Sequence, residues 1–69
     1  MSQITLGILG GGQLGSMLSI AAKKLNIRTV IYSDDKEAPA QNFCDEFIYS
    51  EYSNKNQIYD FIKKVSIIT

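Results

Sequence analysis

A chain of 69 residues makes one small domain at most, yet 45% of it is hydrophobic and 20% charged, the balance of a packed core and not of a disordered tail. Seven basic residues cancel seven acidic ones, which excludes a broad electrostatic pull toward nucleic acid or an anionic membrane. One cysteine and no histidine leave neither an internal disulfide nor a zinc site to support so short a chain.

Residues 4–9 (ITLGIL) are rich in β-formers and apolar on both sides of the pleat, which predicts a strand covered on both faces. After Gly10-Gly11-Gly12 the apolar period changes to three and four. Leu14, Met17, Leu18, Ala21, Ala22 and Leu25 predict one face of a helix, with Ser16, Lys23 and Lys24 off it. Asn26 is the expected stop, since asparagine tolerates the left-handed conformation of helix ends. Residues 28–32 (RTVIY) predict a second strand, closed by Ser33-Asp34-Asp35. Pro39 opens a short helical turn through about Phe43. Residues 47–49 (FIY) predict a brief third strand. Asn54 with Gln57 has the spacing of a capping box and starts a second full helix, whose apolar face is Ile58, Phe61, Ile62 and Val65. Residues 66–69 (SIIT) predict a fourth strand. The pairs Lys23-Lys24 and Lys63-Lys64 fall near the ends of the two helices, where cations meet the negative pole of the helix dipole.

This alternation predicts an α/β fold with a Rossmann-like parallel sheet: β-α-β-α-β-α-β in chain order, with strand order 3-2-1-4. A chain of this length buries only about 60% of the surface it exposes when unfolded. It also stops inside an apolar strand, so the expectation is a truncated piece of a larger domain. No run approaches the ~20 apolar residues of a membrane span, and the first residues lack the pattern of a signal peptide. A cytoplasmic protein without membrane or nucleic-acid partners is expected.

Gly10-Gly11-Gly12-Gln13-Leu14-Gly15 satisfies the spacing G-x-G-x-x-G directly after a strand and before a helix. Gly10 allows the sharp turn off the strand, Gly12 leaves room for a ligand at the backbone, and Gly15 allows the helix to pack close. The first helical N–H groups, around Gly12, Gln13 and Leu14, then suit a phosphate without a lysine. The plain alternative is a tight turn in which glycine serves backbone geometry alone. Asp34 and Asp35 stand about 20 positions on, where dinucleotide enzymes hold ribose hydroxyls. They equally fit a solvated loop that breaks the strand. Cys44 has no histidine to activate it and reads as a small packing residue. Asp45 and Glu46 have no partner base and read as surface charges. No catalytic residue and no metal ligand set is evident.

The wording of residues 6–32, LGILGGGQLGSMLSIAAKKLNIRTVIY, followed by Asp35-Lys36-Glu37-Ala38-Pro39-Ala40 and Asp45-Glu46, resembles the N-terminus of the 5-(carboxyamino)imidazole ribonucleotide synthases. These are ATP-grasp ligases of purine biosynthesis, and the resemblance covers almost the whole chain. It implies that residues 1–69 are the N-terminal part of a Rossmann-like pre-ATP-grasp domain, with the ATP-grasp domains absent. It implies a full-length parent that carboxylates 5-aminoimidazole ribonucleotide with bicarbonate and ATP, with ATP and Mg2+ bound outside this segment. The parent is expected to be a homodimer, and the short chain alone to be inactive. The resemblance places the ribose 5-phosphate at Gly12, Gln13, Leu14 and Gly15, held chiefly by backbone N–H groups, and frees Asp34 and Asp35 from any dinucleotide role. This chain departs from the family pattern at Ser16, where arginine is common, and lacks the acidic Y-E-F-E-N-like segment that usually follows. Spacing alone leaves two other readings: an NAD(P)-binding Rossmann module of a dehydrogenase or regulator, and a non-catalytic remnant whose sheet pairs with another chain.

Overall fold

A computed structural model describes residues 4–69. The elements are β1 (Thr5–Leu9), α1 (Gln13–Lys24), β2 (Arg28–Ser33), a 3-10 turn (Pro39–Asn42), β3 (Glu46–Tyr49), α2 (Lys55–Lys64) and β4 (Ile67–Ile68). All pairings are parallel and the strand order is β3-β2-β1-β4, as the alternation of elements predicts. Strand β1 runs beside β2 from Thr5↔Arg28 to Leu9↔Tyr32. On its other edge it meets β4 at Leu6↔Ile67 and Gly7↔Ile68.

Strand β2 is central enough to be buried on both faces, and its side chains divide between two small cores. Ile31 joins Ile8 and Ala40 beneath α1, with Leu6, Leu18 and Phe47 around them. Val30 and Tyr32 point the other way and join Phe61 of α2, with Ile48, Ile58 and Val65 at the margin. This division follows from the two-residue period of a strand. It also explains Gly7 in the middle of β1. A Cβ on Gly7 would stand 2.9 Å from Phe61 and from both Val65 methyls, so α2 occupies the space a side chain would need. The Tyr32 ring lies between Tyr52 and Phe61, each with its centroid 5.5 Å away.

The buried face of α1 differs from the predicted one. Gly15, Ser16, Ser19 and Ala22 are buried, with Leu18 at the edge, while Leu14, Met17 and Leu25 are more than half exposed and Ala21 also faces out. The seat is turned by about one residue, or roughly 100°, from the large-residue stripe. Small residues let the helix axis approach the sheet, and the two serines bring no unmet polar group with them. The Ser19 hydroxyl donates to the Gly15 carbonyl at 2.8 Å and the Ser16 hydroxyl to the Gly12 carbonyl at 3.2 Å. Close approach therefore outweighs apolar volume here.

Both helix ends have specific locks. Asn26 adopts φ 59, and α1 closes through Asn26 N–H to the Lys23 carbonyl at 3.1 Å and Ile27 N–H to the Ala22 carbonyl at 2.9 Å. At the start of α2 the Asn54 side chain accepts from the Gln57 N–H at 3.2 Å. The reciprocal half of the predicted capping box is replaced, because the Asn54 N–H donates to the Glu51 carbonyl at 3.1 Å. On α2, Phe61 is fully buried and Ile58 and Val65 are half-buried, but Ile62 is 45% exposed. It lies about 100° round the helix from Phe61, past the edge of the buried stripe. Among the described residues no helix is long and apolar enough to cross a membrane.

Candidate functional site

The chain steps from β1 to β2 to β3 in one direction and then returns to place β4 on the opposite side of β1. The carboxyl ends of β1 and β4 therefore flank the point where the winding reverses, the usual ligand crevice of open α/β sheets. The glycine-rich turn rises there. Gly10 has φ +103, a left-handed value that glycine adopts without strain, and its N–H donates to the Tyr32 carbonyl at 2.7 Å. Gly12 is the N-cap of α1 in an extended conformation, and its carbonyl takes the Ser16 N–H at 3.0 Å.

The N–H groups of Gln13, Leu14 and Gly15 precede the first bond of the helical ladder and lie at the positive end of the α1 dipole. No side chain caps this end and the first turn carries no acidic residue. A Cβ built on Gly12 meets nothing within 4 Å, so a ligand can reach the backbone. A Cβ on Gly15 would stand 2.9 Å from the Gly10 carbonyl oxygen, so the third motif glycine seats the helix against the turn. A groove of about 310 Å³ opens beside these groups, walled by the turn, by Leu9 and Leu14, and by Thr69 from beyond β4. All four residues assigned to the phosphate, Gly12, Gln13, Leu14 and Gly15, line it.

Asp34 and Asp35 lie past the end of β2 and do not line that groove. Asp35 is occupied in the chain itself. Its carboxylate accepts from the Glu37 N–H at 2.9 Å, its own N–H donates to the Ser33 hydroxyl at 3.1 Å, and its carbonyl accepts from the Ala38 N–H at 3.1 Å. Asp34 is exposed and close enough to Tyr52 for its charge to be felt there. Burial, with that charge adding to it, pushes the Tyr52 phenol above its ordinary range, so it stays protonated near neutrality. The Tyr52 hydroxyl donates to the Tyr32 carbonyl at 3.4 Å and faces Gly10.

Two residues of this region escaped the sequence reading. Gly11 sits at a position the fingerprint leaves free, and three glycines in a row were the available signal. Tyr52 carried none, because its place over Gly10 depends on the path of the loop between β3 and α2. Cys44 is half-buried against the α1-side core, and burial raises its thiol above the ordinary value. Asp45 is not idle surface charge. Its carboxylate accepts from the Thr29 N–H at 2.8 Å and so extends the β2–β3 ladder. Among the described residues no group of three or more His, Cys, Asp or Glu side chains could hold a metal ion.

Fold and groove together define a nucleotide-type α/β domain with an anion-ready turn at its switch point. A family model described as "Ribonucleotide synthetase preATP-grasp domain" matches residues 2–69, and the chain belongs to that family. Among curated relatives, a phosphoribosylaminoimidazole carboxylase of Ogataea methanolica is 41% identical over 71 residues, covering 100% of this chain and 13% of the relative. An N5-carboxyaminoimidazole ribonucleotide synthase of Staphylococcus haemolyticus is 31% identical over 65 residues, covering 94% of this chain and 17% of the relative. Solved structures agree. The N5-carboxyaminoimidazole synthetase of Staphylococcus aureus, complexed with ADP, superposes with a TM-score of 0.90 at 30% identity, covering 99% of this chain and 19% of that one. The phosphoribosylaminoimidazole carboxylase ATPase subunit of Aquifex aeolicus gives a TM-score of 0.80 at 35% identity, covering 94% and 19%. The chain thus spans less than a fifth of the length of each of these four relatives.

Proposed function

We propose that the glycine-rich turn binds the phosphate ester of a ribonucleotide, with the N–H groups of Gly12, Gln13, Leu14 and Gly15 as its donors. The observation that carries this reading is the uncapped, acid-free first turn of α1, opening into a groove at the switch point of a ribonucleotide synthetase domain. Several aligned amides and a dipole end stabilise a phosphate dianion without a cationic side chain. Both aspartates are exposed, but Asp35 is engaged by the Glu37 N–H, which leaves the Asp34 carboxylate to reach ribose hydroxyls.

In the parent enzyme this site serves an ATP-dependent carbon–nitrogen ligase that carboxylates 5-aminoimidazole ribonucleotide with bicarbonate in purine biosynthesis. The relatives' names support that assignment. ATP and Mg2+ are assigned to the parent outside this segment, on the likeness to the ribonucleotide synthetase family. The role left to this domain is to bind and orient the ribonucleotide, and the isolated chain is assigned no activity. A homodimeric, cytoplasmic parent completes the reading.

The test is a titration of the isotopically labelled chain with 5-aminoimidazole ribonucleotide and with NAD, following the amide resonances of residues 12–15. Saturable shifts with the monophosphate, and none with NAD, are expected. Tight NAD binding that disappears in Asp34→Ala would overturn the reading in favour of a dinucleotide module.

A further inference from the structure

The segment after β2 is laid directly on the glycine-rich turn, touching it at two points. Gly11 is buried, and a Cβ there would stand 2.6 Å from the Ala38 Cβ, 3.4 Å from the Ser33 Cβ and 3.5 Å from the Phe47 ring. Real Cβ contacts do not fall below 3.0 Å, so only glycine fits opposite Ala38. One turn further on, the Ala40 Cβ lies 3.6 Å from where a Cβ on Gly15 would be, and the Ala40 N–H donates to the Gly11 carbonyl at 3.0 Å. Ala38 and Ala40 are 1% and 0% exposed. Behind them, the three hydrogen bonds of Asp35 hold the segment in a fixed turn.

We infer that Gly11 and Ala38 are positioning residues for the phosphate site. The methyl of Ala38, seated on the bare Gly11 α-carbon, sets the height and tilt of the turn and so the direction of the Gln13, Leu14 and Gly15 N–H groups. The inference rests on the phosphate reading above for its functional meaning, but its structural content stands apart from it. The Asp35–Ala40 stretch is then a buttress for the glycine turn, and Asp35 acts on the site through shape and not through a ribose contact. Gly11 is outside the left-handed region, so the limit on its substitution is the space taken by Ala38 and not its backbone.

The experiment is a double-mutant cycle on the full chain. In Gly11→Ala the added methyl meets Ala38, and ribose 5-phosphate affinity falls by about tenfold or more. In Gly11→Ala with Ala38→Gly the clashing methyl is gone, and affinity returns to within about threefold of the parent value. Equal affinity in the single variant and the parent, or a double variant as weak as the single, overturns the inference. Ala38→Gly alone is the second arm, read without ligand, with its fold checked by far-UV circular dichroism. It is expected to raise amide hydrogen exchange at Gly10 and Ser16, whose N–H groups donate to the Tyr32 and Gly12 carbonyls and which lie far from position 38 in sequence, and unchanged exchange there overturns the inference. Absence of ribose 5-phosphate binding in the parent chain would instead defeat the phosphate reading, and the exchange arm would still decide the positioning role.

Discussion

Gly15 lies so close beneath Gly10 that a methyl group on its α-carbon would stand 2.9 Å from the Gly10 carbonyl oxygen. Two effects compete in Gly15→Ala. Replacing a helical glycine gains about 1 kcal/mol of propensity. Forcing a methyl against backbone, which cannot rotate away as a side chain can, costs about 1–3 kcal/mol. The clash outweighs the gain, and the variant is expected to lose up to about 2 kcal/mol in urea unfolding. A variant more stable than the parent would show that α1 can lift off the turn.

Gly12→Ala should behave in the opposite way. Nothing lies within 4 Å of the new methyl, so packing is undisturbed. Alanine at an N-cap costs up to about 1 kcal/mol relative to a residue that suits the position. The same methyl stands where the ligand would approach, and ribose 5-phosphate affinity is expected to drop by about tenfold or more. Calorimetric titration beside a melting curve separates the two. A large fall in melting temperature with intact affinity contradicts the assignment of Gly12.

Phe61 is the largest apolar side chain buried on the α2 side, touching both Tyr32 and the Gly7 α-carbon. Phe61→Ala opens a cavity among Val30, Tyr32, Ile48, Ile58 and Val65, at a cost of about 3–5 kcal/mol. For a small domain that is most of the available stability. Far-UV circular dichroism should show a largely unfolded chain at 37 °C. Phe61→Leu, which keeps most of the volume, should remain folded with a lowered midpoint.

Glu46 receives Lys64 on one carboxylate oxygen and Arg28 on the other. The Lys64 hydrogen bond is the main reason its carboxyl lies below the ordinary value of 4.5, with burial opposing and Arg28 adding to the shift. A carboxyl with a depressed folded value contributes stability above its unfolded value and loses it as pH falls through the folded one, because the unfolded chain takes the proton first. Stability should therefore decline as pH drops below 4.5, by no more than about 1 kcal/mol from this group, since solvent screens the pair. Glu46→Gln should flatten that part of the profile and make it insensitive to salt. An unchanged profile would remove the bridge from the stability account.

The order of elements and the strand order were legible because period, glycine punctuation and the right-handed crossover rule all point to one topology. The seat of α1 was not. A hydrophobic stripe marks where apolar volume lies, but the helix is drawn in by Gly15, Ser19 and Ala22, whose value depends on how near the Gly10 carbonyl comes. The site was half legible. Gly10, Gly12 and Gly15 have roles that spacing can express. The role of Gly11 lies in contact with Ala38, 27 positions away, and that distance is closed only by tertiary structure. Spacing left Asp35 open between a ribose contact and a strand-ending loop, and its hydrogen bonds within three residues of itself are invisible to spacing.

The junction of β1 with β4 has a kinetic meaning as well. Leu6 pairs with Thr29 on one edge and with Ile67 on the other, so the two edges of one strand close chain loops of very different length. Loop-closure entropy makes the shorter one the earlier event. Strands β1 and β2 with α1 between them should assemble first, raising the glycine turn before its groove has a second wall. Thr69, which donates to the Gly7 carbonyl and accepts from the Leu9 N–H, arrives last. The ligand crevice would thus be among the final features to mature during folding, and a nucleotide that fits it would act as a late-stage clasp on the native sheet.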